Sequence, residues 1–75
     1  MSRWALEEKR LRRRLAANVR ALRTERGLSV EAAAHEGDLH WRHWQKVEAG
    51  EVGVTLRTIA KLALALGAKA SDLLI

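Results

Sequence analysis

Cysteine is absent from this chain, so neither a disulfide framework nor a cysteine-based zinc site can stabilise it. Proline, tyrosine and phenylalanine are absent as well, and three tryptophans are the only aromatic residues. With no run of β-branched residues either, strands have almost nothing to be built from. No apolar stretch approaches the roughly 20 residues that span a bilayer. The first residues carry charges where a secretory leader needs an apolar core, so a cytoplasmic protein without a membrane partner is expected. Acidic residues are scarce at one end: residues 1–26 hold nine Lys or Arg against three Glu, and residues 27–75 hold five against six acids. A nearly neutral body thus carries a strongly basic N-terminal helix, which suggests a polyanionic partner, with nucleic acid ahead of an acidic membrane surface.

What remains is rich in Ala, Leu, Arg, Glu and Lys, all good helix formers. At 75 residues the chain has room for one modest core. Either its helix packing is unusually good or a partner subunit completes that core. Caps and apolar spacing predict the helices. The first runs from Ser2 or Arg3 to about Glu25, with Leu11, Leu15, Val19 and Leu22 as its stripe and Gly27 as its stop. Ser29 caps a short second helix, Val30 to about Glu36, followed by a turn at Gly37 and Asp38. The third spans about His40 to Ala49, and Thr55 caps a fourth that ends at Gly67. Ser71 is expected to cap a last turn, Asp72–Ile75.

The informative stretch is SVEAAAHEGDLHWRHWQKVEAG, residues 29–50. A helix-turn-helix needs a small residue where its helices cross, and Ala34 supplies it. Asp38 follows four residues later at the turn, and Leu39, Trp44 and Val47 supply buried anchors. The other face of the third helix presents Trp41, Arg42, Gln45 and Lys46, free to enter a major groove and read bases. An ordinary helical hairpin with a solvated basic face has the same spacing.

These residues resemble the phage-repressor (Cro/cI-like, XRE) helix-turn-helix regulators. The likeness extends over about Leu15–Leu74: LAANVRALRTERGLS, then VEAG at 47–50, TLRTIAKLALALGA at 55–68 and SDLL at 71–74. It implies an all-α, compact five-helix repressor-like domain, residues 15–75, usually dimeric, that binds a double-stranded DNA operator and represses transcription. Residues 1–14 form a basic extension of the first helix, outside the usual domain. The likeness also implies an ion pair between Arg23 and Glu48, a core place for Trp44, and a phosphate approach near Thr55 and Arg57. Trp44 is expected to use volume left by Ala33, Ala34 and Gly37. Three positions depart from the pattern. Val30 replaces a phosphate-facing Gln. Gly37 sits one residue ahead of the place where positive φ is needed, so Asp38 adopts that conformation or, alternatively, Gly37 centres the turn and Asp38 caps the third helix. His40 stands where Ser or Thr usually caps.

Further phosphate candidates are His40, His43, Arg10, Arg13 and Arg14. Arg10 and Arg14 share a helix face, as do Arg13 and Arg20. Trp41 either covers thymine methyls or packs over the turn. Leu64, at a position commonly polar in the family, and Leu74 and Ile75 suggest a self-complementary patch for a homodimer. His40 and His43 lack the glutamate of a zinc-protease pattern, and no metal or other cofactor is expected. Scattered carboxylates and serines without a base give no reason to expect an enzyme. The rival reading is an antitoxin or protein-interaction adaptor, with a partner bound through residues 1–14, where Trp4, Leu6 and Leu11 lie. A helix lying on a membrane surface at residues 1–20 has few bulky apolar residues to support it.

Overall fold

The computed structural model describes residues 2–75; the first residue of the 1–14 extension lies outside them. Its elements are α1 (Arg3–Glu25), α2 (Val30–Glu36), α3 (Trp41–Glu48), α4 (Leu56–Leu66) and a 3-10 turn, Ala70–Leu73. The all-α expectation holds, with four α-helices and a 3-10 turn in place of five helices among the described residues.

Side-chain oxygens set the starts of three of these helices. Ser2, Ser29 and Thr55 accept from the backbone N–H of Ala5, Ala32 and Thr58, each satisfying a donor that a helix start leaves free. The last turn corrects the reading of Ser71. It begins after Lys69, whose N–H donates to Asp72 Oδ2 at 3.3 Å, so Asp72 secures the start and Ser71 lies inside the turn. A carboxylate three residues ahead reaches back to that N–H, which the short Ser71 hydroxyl within the turn does not do.

α1 sets the long dimension. Its 23 residues measure about 35 Å at 1.5 Å per residue, against a longest molecular extent of 37 Å. Leu15, Ala16 and Val19 are buried, and the helix packs on α3, α4 and the final turn. No break marks residue 15. Arg12 Nη1 donates to the Glu51 carbonyl at 3.4 Å, and Gly53 lies against the Glu8 carboxylate. Contact with the body of the domain therefore starts near Glu8, while Trp4 and Leu6 remain exposed.

The core forms where α2 and α4 close over α1 and α3. Trp44, Val19, Leu62 and Leu73 are each 0% exposed and belong to one cluster with Ala33 and Ala34. Gly37 has a different role from the one its sequence suggests. Its φ is −89°, an ordinary value, but a Cβ there would stand 2.8 Å from the Lys61 carbonyl oxygen and 3.2 Å from Ala65 Cβ. The volume it leaves is filled by the backbone of α4, and the indole of Trp44 lies beside the alanines in the cluster. The left-handed residue is Asp38, with φ 55°, which excludes the alternative of Gly37 centring the turn. Lys61 Nζ donates to the Asp38 carbonyl at 3.0 Å and ties this turn to α4.

Gly37→Ala should destabilise the domain by about 1–3 kcal/mol, the usual cost of overpacking. Urea denaturation followed by circular dichroism measures it; an unchanged midpoint would contradict the close approach of α2 and α4.

Candidate nucleic-acid interface

α3 is short and sharply two-sided. Trp44 and Val47 are buried, and at 100° per residue the opposite side carries Trp41, Arg42, Gln45 and Lys46, all exposed. With Ala49 and Glu51 these four line a shallow open groove. All four expected base-reading residues thus lie on one surface. The helix begins at Trp41 because His40 caps it: His40 Nδ1 accepts from the Arg42 N–H at 3.1 Å, which requires an unprotonated Nδ1.

One carboxylate fixes the roll of this helix. Glu48 Oε2 accepts from Arg23 Nε at 2.6 Å, Glu48 Oε1 from Arg23 Nη2 at 3.0 Å, and Oε2 also from Trp44 Nε1 at 2.6 Å. Arg23 Nη1 donates onward to the Leu28 carbonyl at 2.8 Å. Both partners of the ion pair are largely buried, with side chains 14% and 10% exposed. The hydrogen-bonded carboxylate raises the Arg23 pKa above its ordinary value against the opposing effect of burial, so the guanidinium stays charged. Bidentate geometry of this kind orients as well as attracts.

The expected phosphate residues separate into groups. Arg57 is exposed in the first turn of α4, beside the capping Thr55. Arg13 and Arg14 are exposed on α1, whose backbone at Arg13 passes close to Gly50, just beyond the end of α3. Arg10 is exposed, with Glu7 3.9 Å away. His40 is exposed, though one of its nitrogens is committed to the cap. His43 is half-buried, one turn before Val47 on α3, and its Nε2 is shielded from solvent without a hydrogen-bond partner. Of the patch residues, Leu64 is 75% and Ile75 78% exposed, whereas Leu74 is half-buried against the core.

Several polar residues with structural roles were not singled out by sequence. Arg26 Nη1 donates to the Ala65 carbonyl and to Glu36 Oε2 at 3.3 Å, linking α1, α2 and α4. Asn18 Nδ2 donates to the carbonyls of Leu73 and Ile75 at 2.9 and 3.1 Å. A polar residue at 18, three after Leu15 and four before Leu22 on the apolar stripe, was the available signal. Nothing local marked Arg26.

Residues 14–74 match the sequence profile described as helix-turn-helix domain. The chain belongs to this family, with the XRE-type regulators. Its function is DNA-binding regulation of transcription. Among solved structures it is similar to the restriction-modification controller protein C.AhdI from Aeromonas hydrophila, at 35% identity and TM-score 0.79 over 83% of this chain and 94% of that one. It is similar at 37% identity and TM-score 0.85 to the hypothetical transcription factor NHTF from Neisseria, over 91% of this chain and 76% of that one. The clp gene regulator ClgR from C. glutamicum shares 28% identity at TM-score 0.78, over 85% and 83% of the two chains. No match is found among curated proteins. Among the described residues no helix is long and apolar enough to cross a membrane.

Glu48→Ala strands the Arg23 charge and the Trp44 N–H, and should cost about 3–5 kcal/mol. Glu48→Gln keeps the shape and an acceptor and should cost less. Equal melting temperatures for Glu48→Ala and the parent protein would refute the role given to this carboxylate.

Proposed function

We propose that this helix-turn-helix protein is a sequence-specific repressor, cytoplasmic and homodimeric, that reads a double-stranded operator with Trp41, Arg42, Gln45 and Lys46. One observation carries the reading: a recognition-type helix is locked in roll by a buried ion pair so that these four side chains share an open groove. Arg42 and Lys46 lie one turn apart and supply hydrogen-bond donors; Arg pairs with guanine O6 and N7 together. Arg57, Thr55, His40, Arg13, Arg14 and Arg10 lie outside the groove and are assigned to phosphates, which position the protein without specifying sequence. His43 is left out of this set. The proposal includes no catalytic step.

The dimer reading rests on α4. Leu56, Ala60 and Leu64 recur every fourth residue along its exposed side, a strip about 12 Å long at 1.5 Å per residue. Leu64 and Ile75 are assigned to the twofold contact; Leu74 serves the protomer's own core. A twofold dimer would present two reading helices to two half-sites. The exposed Trp4, 72% accessible at the overhanging start of α1, favours a protein partner on the extension as a second reading. Deleting residues 2–7, ahead of the Glu8 contact, tests it: unchanged operator affinity assigns the overhang to a protein partner, and weakened affinity assigns it to DNA.

Selection from a random duplex library gives the operator. On it, Arg42→Ala and Lys46→Ala should each relax preference at particular base pairs by about 1–3 kcal/mol. Arg57→Ala should weaken all sequences alike and reduce the slope of log affinity against log salt by about 0.9. If both α3 variants leave sequence preference untouched, α3 is not the reading element. Leu64→Glu should convert the dimer to a monomer in analytical ultracentrifugation and weaken operator binding; a parent protein that is already monomeric with and without DNA would exclude the dimer.

A further inference from the structure

Trp41 does not stand alone at the start of α3. The imidazole of His40 stacks on the indole, with centroids 5.7 Å apart and planes 27° from parallel. The guanidinium carbon of Arg42 lies 5.3 Å from the centroid of the Trp41 ring. The assembly is closed through the backbone, since His40 Nδ1 accepts from the Arg42 N–H. Three consecutive side chains thus form one unit on the surface, and Trp41 is still 39% exposed.

We propose that Trp41 and Arg42 act together as a reader of a thymine methyl next to a guanine, with the indole also holding the guanidinium in place. This rests on the reading of α3 as the base-contacting helix. A cation over an aromatic face is held by the ring quadrupole, which restricts a side chain that would otherwise sample many rotamers. The guanidinium carries five N–H donors in its own plane, and those directed away from the ring can reach guanine O6 and N7. Apart from its single N–H, the indole is apolar. In the major groove, the methyl of thymine is the apolar group presented by a base, whereas cytosine and adenine offer amino donors and guanine offers acceptors. An indole at this place therefore favours thymine and disfavours the polar edges. The 5.3 Å between the two recognising groups suits neighbouring base pairs, about 3.4 Å apart along the axis with a further lateral offset. The stacked His40 imidazole restricts the same indole.

The experiment uses the whole protein and two random duplex libraries, one synthesised with thymine and one with deoxyuridine, which lacks only the methyl group. Single deoxyuridine replacements are then made in the best thymine-library duplex. The parent protein should select a guanine with an adjacent thymine, and deoxyuridine at that thymine should weaken binding about threefold to tenfold, the scale of one buried methyl. Trp41→Ala should bind the two duplexes equally and lose part of its guanine preference at the neighbouring pair. Trp41→Phe, which keeps an apolar aromatic face, should retain both. Arg42→Ala should lose the guanine preference and keep sensitivity to the methyl. If the parent protein keeps its guanine preference but binds thymine and deoxyuridine duplexes alike at every position, the composite reader is refuted while base reading by α3 stands. If the thymine library shows no enrichment at all, base reading fails and the proposal fails with it. Trp41→Ala with an unchanged circular dichroism melt shows that its losses arise at the DNA surface, as expected for an exposed side chain.

Discussion

Glu48 holds three groups with one carboxylate: the two edge nitrogens of Arg23 and the indole N–H of Trp44. Through Arg23 the network extends to the Leu28 carbonyl in the link between α1 and α2. The arrangement joins the first helix, the approach to the second and the end of the third at a single largely buried point. Burying an ion pair is costly, and apolar replacements often match its stability. Its effect here is geometric. With Trp44 and Glu48 held inward one turn apart, Trp41, Arg42, Gln45 and Lys46 have only the outer side left to occupy.

Close approach of backbones complements this polar anchor. α2 presents Ala33, Ala34 and Gly37 to its neighbours, each almost fully buried, and α4 comes close enough that no Cβ fits at Gly37. Lys61 and Arg26 then reach backbone carbonyls of the turn and of α4. The Lys61 contact ties the turn between α2 and α3 to α4, and the Arg26 contact ties the end of α1 to α4. α3 is therefore held at both ends, by Glu48 at its C-terminal end and by the Asp38 turn before its N-terminal end. Preorganisation of this kind matters for recognition, because side chains on a rigid element lose less freedom on binding.

The charge asymmetry of the chain also resolves into distinct roles. Arg23, Arg26 and Arg12 are engaged within the protein, while Arg13, Arg14, Arg42, Lys46 and Arg57 remain on the outside. A basic composition alone gives no means of separating the two sets. The helix-turn-helix profile and the similar folds of C.AhdI, NHTF and ClgR place the chain in its family, and the contacts of each arginine in this fold separate the two sets.

Much of the architecture was legible because its signals are local. Ser2, Ser29 and Thr55 cap helices within three residues of themselves, apolar spacing needs only one helix turn, and the tolerance of Asp38 for positive φ is a property of one residue. The Arg23–Glu48 pair came from family resemblance, since a sequence separation of 25 leaves no periodic trace. Tertiary structure alone decided the rest. It turned His43 inward, filled the space at Gly37 with the backbone of α4, gave Arg26 and Asn18 distant carbonyls to bind, and let Asp72 take the role expected of Ser71. A long polar side chain can reach any of several partners, and which one it meets depends on the elements that packing brings within a few ångströms. The sequence determined which segments are helical and which faces are apolar; how those faces roll against one another, and so which cations are left at the surface, was fixed only when the buried carboxylate and the close-packed α2–α4 contact were both in place.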